Sequence, residues 1–133
     1  MSRQIFVNLP VKDLPRTMAF FRALKFDFNM QWTDETAACM VIGENIHAML
    51  ITEKRFADFT PKAICNAHQQ TEVLVCISCE SKVALQQMVS EAVAQGGRTV
   101  REPKDHGFMY EHAFEDLDGH IWEVVYFPPQ QAE

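Results

Sequence analysis

Residues 114–127 read Phe-Glu-Asp-Leu-Asp-Gly-His-Ile-Trp-Glu-Val-Val-Tyr-Phe. Asp116 to Gly119 has the composition of a turn, because Asp side chains accept bonds from nearby backbone amides and Gly tolerates positive φ. From Ile121 the chain reads as a strand, with Ile121, Glu123 and Val125 on one face and Trp122, Val124 and Tyr126 on the other. Glu123 is then a carboxylate between apolar neighbours, a placement that costs free energy unless a partner satisfies it. Trp122 and Tyr126 are expected beneath a helix.

Further from this hairpin, the same alternation recurs at the start of the chain. Ile5, Val7, Leu9 and Val11 share one face and Phe6, Asn8 and Pro10 the other, with Pro10 marking a strand end or edge. Asp13 suits a helix N-cap, Pro15 falls in the first turn, and Leu14, Met18, Phe21 and Leu24 have helical spacing. Phe26 to Thr33, Thr36 to Ile42 and Ile46 to Thr52 read as three more strands, divided by Asp34-Glu35 and Gly43-Glu44-Asn45.

Residues 54–70 have no sustained period and read as a long connector, with one helical turn around Arg55 to Phe59. The pattern then repeats. A strand from Thr71 to Ser78 precedes a helix from Ser81, with Leu85, Met88, Val89, Ala92 and Val93 on one side and Gly96-Gly97 as its stop. Arg98 to Arg101, Phe108 to Phe114 and Ile121 to Phe127 supply three strands. The fold class is therefore α+β: two βαβββ modules, at about residues 1–53 and 71–127, a linker at 54–70 and a tail at 128–133.

Pattern alignment sets Val7-x-Leu9-x-Val11 against Val73-x-Val75-x-Ile77, pairing Phe6 with Glu72. It also sets residues 45–48 against 120–123, pairing Ala48 with Glu123. A lone βαβββ unit leaves one sheet face bare, so the two modules are expected to curl in a pseudo-two-fold arrangement around a shared cleft, helices outside.

The length of 133 residues and 47% hydrophobic content suit a single domain with a real core. A net charge of -6 without a Lys/Arg cluster disfavours nucleic acid and anionic membrane surfaces as partners. The longest apolar run, Val73 to Ile77, is far below the roughly 20 residues a membrane helix needs, and a cytoplasmic location is expected. Cys39, Cys65, Cys76 and Cys79 then remain thiols. Cys76-Ile-Ser-Cys79 spells a redox pair, but Cys76 falls within a strand rather than at a helix N-terminus.

Phe114, Asp116, Asp118, Gly119 and Glu123, with Leu9-Pro-Val-Lys-Asp13-Leu14 and Phe20-Phe21 near the other end, resemble the vicinal oxygen chelate superfamily. That group includes glyoxalase I, bleomycin- and fosfomycin-resistance proteins and extradiol dioxygenases. Leu117 stands where the family turn has Pro. The resemblance implies a cleft that takes a small molecule, frequent dimerisation, and, in metal-using members, His, Glu or Gln ligands from the first and last strands of both modules. The matching positions are Phe6, Ala48, Glu72 and Glu123.

Phe6 and Ala48 carry no donor, and His47 would serve only if a bulge re-aimed it. Glu72 and Glu123 could hold a divalent ion weakly or share a proton as a general acid/base pair, or Glu72 could be solvated. No tightly bound cofactor is expected. The cleft is expected to be lined by Phe6, Asn8, Leu74, Cys76 and the two glutamates, with Trp32 at its rim. On the penultimate strand, either Tyr110, His112 and Phe114 or Met109, Glu111 and Ala113 face it. Two functions stay open: an enzyme of lyase, isomerase or dioxygenase type, and a non-catalytic, drug-sequestering binder. Exposed sheet edges, Phe56 and Phe59 favour a homodimer.

Overall fold

The computed structural model describes residues 3–129. The chain divides after Cys65 into two compact units. In the first, β1 (Ile5–Val11) leads to helix α1 (Leu14–Ala23), then to β2 (Asp27–Asn29), β3 (Ala37–Gly43) and β4 (Ile46–Thr52). These form a sheet of order β1-β4-β3-β2, with β1 and β4 parallel and the others antiparallel. Asp13 caps α1 by accepting a bond from Arg16 N at 3.2 Å, which satisfies an amide that the first turn leaves unpaired.

Helix α1 buries Leu14, Thr17, Phe20 and Phe21 against a sheet face on which Leu9, Val11, Met40, Ala48 and Leu50 are almost wholly buried. Burial contributes about 1.5–3 kcal/mol for each large apolar side chain, so this layer holds the unit together. The strand expected from Phe26 to Thr33 stops at Asn29. Asn29 Oδ1 accepts from Gln31 N at 3.1 Å, and this local bond starts a 3-10 turn over Met30–Trp32. After β4, helix α2 (Glu53–Phe56) and a 3-10 turn at Ala57–Phe59 occupy the start of the expected connector.

The second unit has the same order: β5 (Leu74–Ser78), α3 (Lys82–Ala94), β6 (Lys104–Asp105), β7 (Tyr110–Glu115) and β8 (Ile121–Tyr126), in a sheet β5-β8-β7-β6. Ser81 caps α3, its Oγ accepting from Ala84 N at 2.9 Å. Leu85, Val89 and Ala92 of α3 are buried, as are Trp122, Val124 and Phe114 of the sheet. Two βαβββ modules are therefore present.

In the second unit the start of β5 and the segment after α3 differ from the expectation. Strand β5 begins at Leu74, not Thr71, which leaves Glu72 outside it. Arg98 to Arg101 is not a strand: Arg98 makes an isolated bridge with Glu115, and pairing resumes only at β6. Pro103 has no N–H to give a ladder, and the Arg101 side chain is engaged elsewhere.

The hairpin turn between β7 and β8 forms as its composition implies. Asp116 Oδ1 accepts from Asp118 N at 2.9 Å and His120 N at 3.0 Å, and Gly119 has φ +88. Buried Trp122 donates from Nε1 to Asp116 Oδ2 at 2.9 Å. No helix among the described residues is long and apolar enough to cross a membrane.

Candidate functional site

Strand register decides which side chains share a surface. In the first unit Phe6 is the register partner of His47 and Asn8 that of Met49, so these four lie on the sheet face opposite Leu9, Ala48 and Leu50. The Phe6 and His47 rings stack at 4.7 Å with 12° between their planes. Trp32 continues the series, its ring 6.0 Å from Phe6 and inclined by 4°. The 3-10 turn that carries Trp32 is pinned by Thr33, whose Oγ1 donates to Asn29 O at 2.8 Å and accepts from Cys39 N at 3.1 Å.

This aromatic row grades from wet to dry: Trp32 is 58% exposed, Phe6 37% and His47 8%. Nδ1 of His47 is buried and has no hydrogen-bond partner among the described residues. The expectation that His47 points away from Phe6 is thus corrected, and Ala48, once aligned with Glu123, lies fully buried on the other face. A parallel pair puts register partners on the same side, and the pattern alignment had misplaced that register by one residue.

In the second unit Glu123 is the register partner of Cys76 on β5 and Ala113 on β7, so Glu111, two residues from Ala113, shares its face. Glu123 Oε2 lies 3.2 Å from Nη2 of Arg101, and Nη1 of the same guanidinium lies 3.0 Å from Glu111 Oε1. The other side of Glu111 is 3.4 Å from His106 Nε2. Burial, followed by the charges of Glu123 and Glu111, raises the Cys76 thiol above its ordinary value, with Arg101 opposing. Burial also raises Cys79, so neither residue has the thiolate character that a redox pair uses.

On β7 it is Glu111 and Ala113 that share the Glu123 face of this sheet. Tyr110 and His112 lie on the α3 side: Lys82 Nζ of α3 stands 4.5 Å over the Tyr110 ring, and His112 Nε2 is 3.1 Å from Arg101 O. Leu74, 52% exposed, is on the Glu123 face.

Glu72 does not join Glu123. It lies four residues before Cys76, roughly 13 Å along an extended chain, and its Oε1 is 2.7 Å from His120 Nδ1. A proton-sharing pair of these two carboxylates therefore has no geometric basis.

Counting back from the helix caps realigns the modules. Leu9 precedes Asp13, and Ile77 precedes Ser81, by the same interval, so Phe6 corresponds to Leu74 and Asn8 to Cys76. Since Asn8 opposes Met49 and Cys76 opposes Glu123, Met49 is the counterpart of Glu123. Of Phe6, Met49, Leu74 and Glu123, only Glu123 carries a hard donor, and Arg101 engages it. Among the described residues no group of three His, Cys, Asp or Glu is placed to hold a metal ion, so the residues present do not fit the metal that the resemblance implies. Arg101 was not foreseen as the partner of Glu123, and Glu111 was named only in one of the two open parities of β7; the signal was a basic residue in an alternating segment opposite a strand bearing lone carboxylates.

A family model described as the Glyoxalase/Bleomycin resistance protein/Dioxygenase superfamily matches residues 3–124. Among solved structures, a hypothetical protein from S. aureus superposes with a TM-score of 0.79 at 27% identity, covering 95% of each chain. A glyoxalase-related enzyme from Fulvimarina pelagi gives 0.79 at 15% identity, over 99% of this chain and 94% of that one. A genomically encoded fosfomycin resistance protein from Listeria monocytogenes gives 0.67 at 16% identity, over 99% and 96%. At such identities the last two show a shared fold alone. No curated protein sequence matches the chain.

Proposed function

Because the chain belongs to the glyoxalase/bleomycin resistance protein/dioxygenase superfamily, we propose that it binds a planar small organic molecule on the open face of its first sheet. The observation that carries this reading is the row of near-parallel rings, Trp32, Phe6 and His47. Exposed parallel rings present π-faces to a flat ligand, and each such stack contributes about 0.5–1.5 kcal/mol beyond area burial. His47 Nδ1, without a hydrogen-bond partner among the described residues, supports a ligand with a polar edge, since a buried polar nitrogen left unpaired costs about 1–3 kcal/mol. Asn8 and Met49 would border the bound ring. This reading favours a sequestering binder over an enzyme, as the Glu72–Glu123 acid/base pair is not assembled.

Acridine, a planar heteroaromatic, is a suitable probe. Its addition is expected to quench Trp32 emission saturably, and Phe6→Leu is expected to weaken the affinity by about tenfold. Quenching that never saturates, or that is unchanged in Phe6→Leu, would sink the reading.

A two-fold homodimer and a cytoplasmic location are part of the same proposal. Phe59 is 57% exposed and Phe108 70% exposed, the kind of apolar surface a second copy covers. Thiols at Cys39, Cys76 and Cys79 suit a reducing compartment. Light scattering that gives only the 15.3 kDa monomer mass would count against the dimer.

A further inference from the structure

The second sheet carries a separate feature. Glu123 and Glu111 stand on adjacent strands of one face, and two like charges so placed repel unless a cation lies between them. The Arg101 guanidinium is that cation, at 3.2 Å from Glu123 and 3.0 Å from Glu111. Its backbone is anchored three residues earlier and at Arg101 itself. Arg98 bridges Glu115 through main chain and side chain, and Arg101 O meets His112 Nε2 at 3.1 Å. All three side chains are about one-quarter to one-third exposed (31%, 23% and 30%), so this is a held contact and not a solvated arm.

We propose that Arg101 supplies from within the chain the positive charge that a divalent ion would otherwise bring to Glu123, and that it is the residue that closes this face to metals. A guanidinium stays charged at every accessible pH and offers N–H groups in a planar fork that orients carboxylates. A borderline divalent ion needs its oxygen, nitrogen or sulfur ligands at about 2.0–2.3 Å, whereas Arg101 holds the two carboxylates apart on either side of its own bulk. Arg101 is thus a positioning residue for Glu123 and Glu111. Without it, both carboxylates and the adjacent Cys76 sulfur would be released to close on a borderline ion. This proposal is independent of the aromatic row on the first sheet.

Cobalt(II) absorption tests it, because bound cobalt gains visible bands and a thiolate ligand adds near-ultraviolet charge transfer. Wild-type protein titrated with cobalt chloride is expected to stay spectroscopically silent. Arg101→Met and Arg101→Gln are expected to gain saturable absorption near one ion per chain, lost again when Glu123→Gln is added. Arg101→Lys, which restores a charge, is expected to stay silent. Wild-type absorption that disappears in Glu123→Gln would overturn the proposal. So would Arg101→Met and Arg101→Gln proteins that are folded by circular dichroism and bind no more cobalt than wild type. Should neither variant fold, the wild-type titration with its Glu123→Gln control decides between silence, which supports the proposal, and Glu123-dependent binding, which overturns it.

Discussion

Glu72 Oε1 lies 2.7 Å from Nδ1 of His120, so the carboxylate that precedes β5 belongs to the β7–β8 turn and ties the segment before β5 to it. His120 is 3% exposed, and removing a partner from a buried ring nitrogen costs about 1–3 kcal/mol. Glu72→Ala is therefore expected to lower the unfolding free energy by that amount in urea titrations, with Glu72→Gln losing less. Acridine quenching of Trp32 is expected to be unchanged in both. A loss of binding without a loss of stability would return Glu72 to the functional site.

The same turn is closed to any side chain at Gly119. A Cβ there would meet the Ala67 carbonyl carbon and His68 N at 2.7 Å, and φ is +88. The left-handed backbone alone costs about 1–3 kcal/mol, and the clash is with backbone that cannot swing aside. Gly119→Ala is expected to destabilise by more than Gly107→Ala, whose Cβ has nothing within 4 Å at φ +83. Equal losses in the two denaturation curves would show that conformation, not contact with residues 67–68, limits the position.

Burial raises the Asp116 carboxyl from 3.8 to about 6, against the charge of His120 and the N–H groups of Trp122 and Asp118. Between those two values the folded state binds a proton that the unfolded chain has released. The contribution of Asp116 to stability is therefore most favourable below about 4, declines as pH rises to about 6, and is level above that. Carbon-13 titration of the Asp116 carboxyl is expected to show a midpoint near 6. In Asp116→Asn this share of the pH dependence of urea unfolding is expected to vanish; a carboxyl midpoint near 4 would refute the assignment.

The two tryptophans differ in environment. Trp32 is 58% exposed and Trp122 is wholly buried. Iodide is expected to quench part of the wild-type emission and almost none of the Trp32→Phe emission. Substantial iodide quenching in Trp32→Phe would mean that the core around Trp122 opens on the fluorescence timescale.

The element order, the cap at Asp13, the helix start near Ser81 and the turn at Asp116 to Gly119 were legible in the residues alone. Each is a local signal: alternation of period two, helical spacing, or a side chain that bonds an amide a few positions on. The pairing of β1 with β4 and of β5 with β8 is parallel and joins residues far apart in the chain, so no turn geometry sets its register. Tertiary structure alone decided that His47 stacks on Phe6, that Met49 rather than Ala48 is the counterpart of Glu123, and that Glu111 rather than Tyr110 shares its surface. It also decided the partner of Glu123. The sequence showed a carboxylate in need of a counter-charge, while the choice of Arg101 depended on where the chain between Arg98 and β6 leaves the ladder, which long-range packing determines.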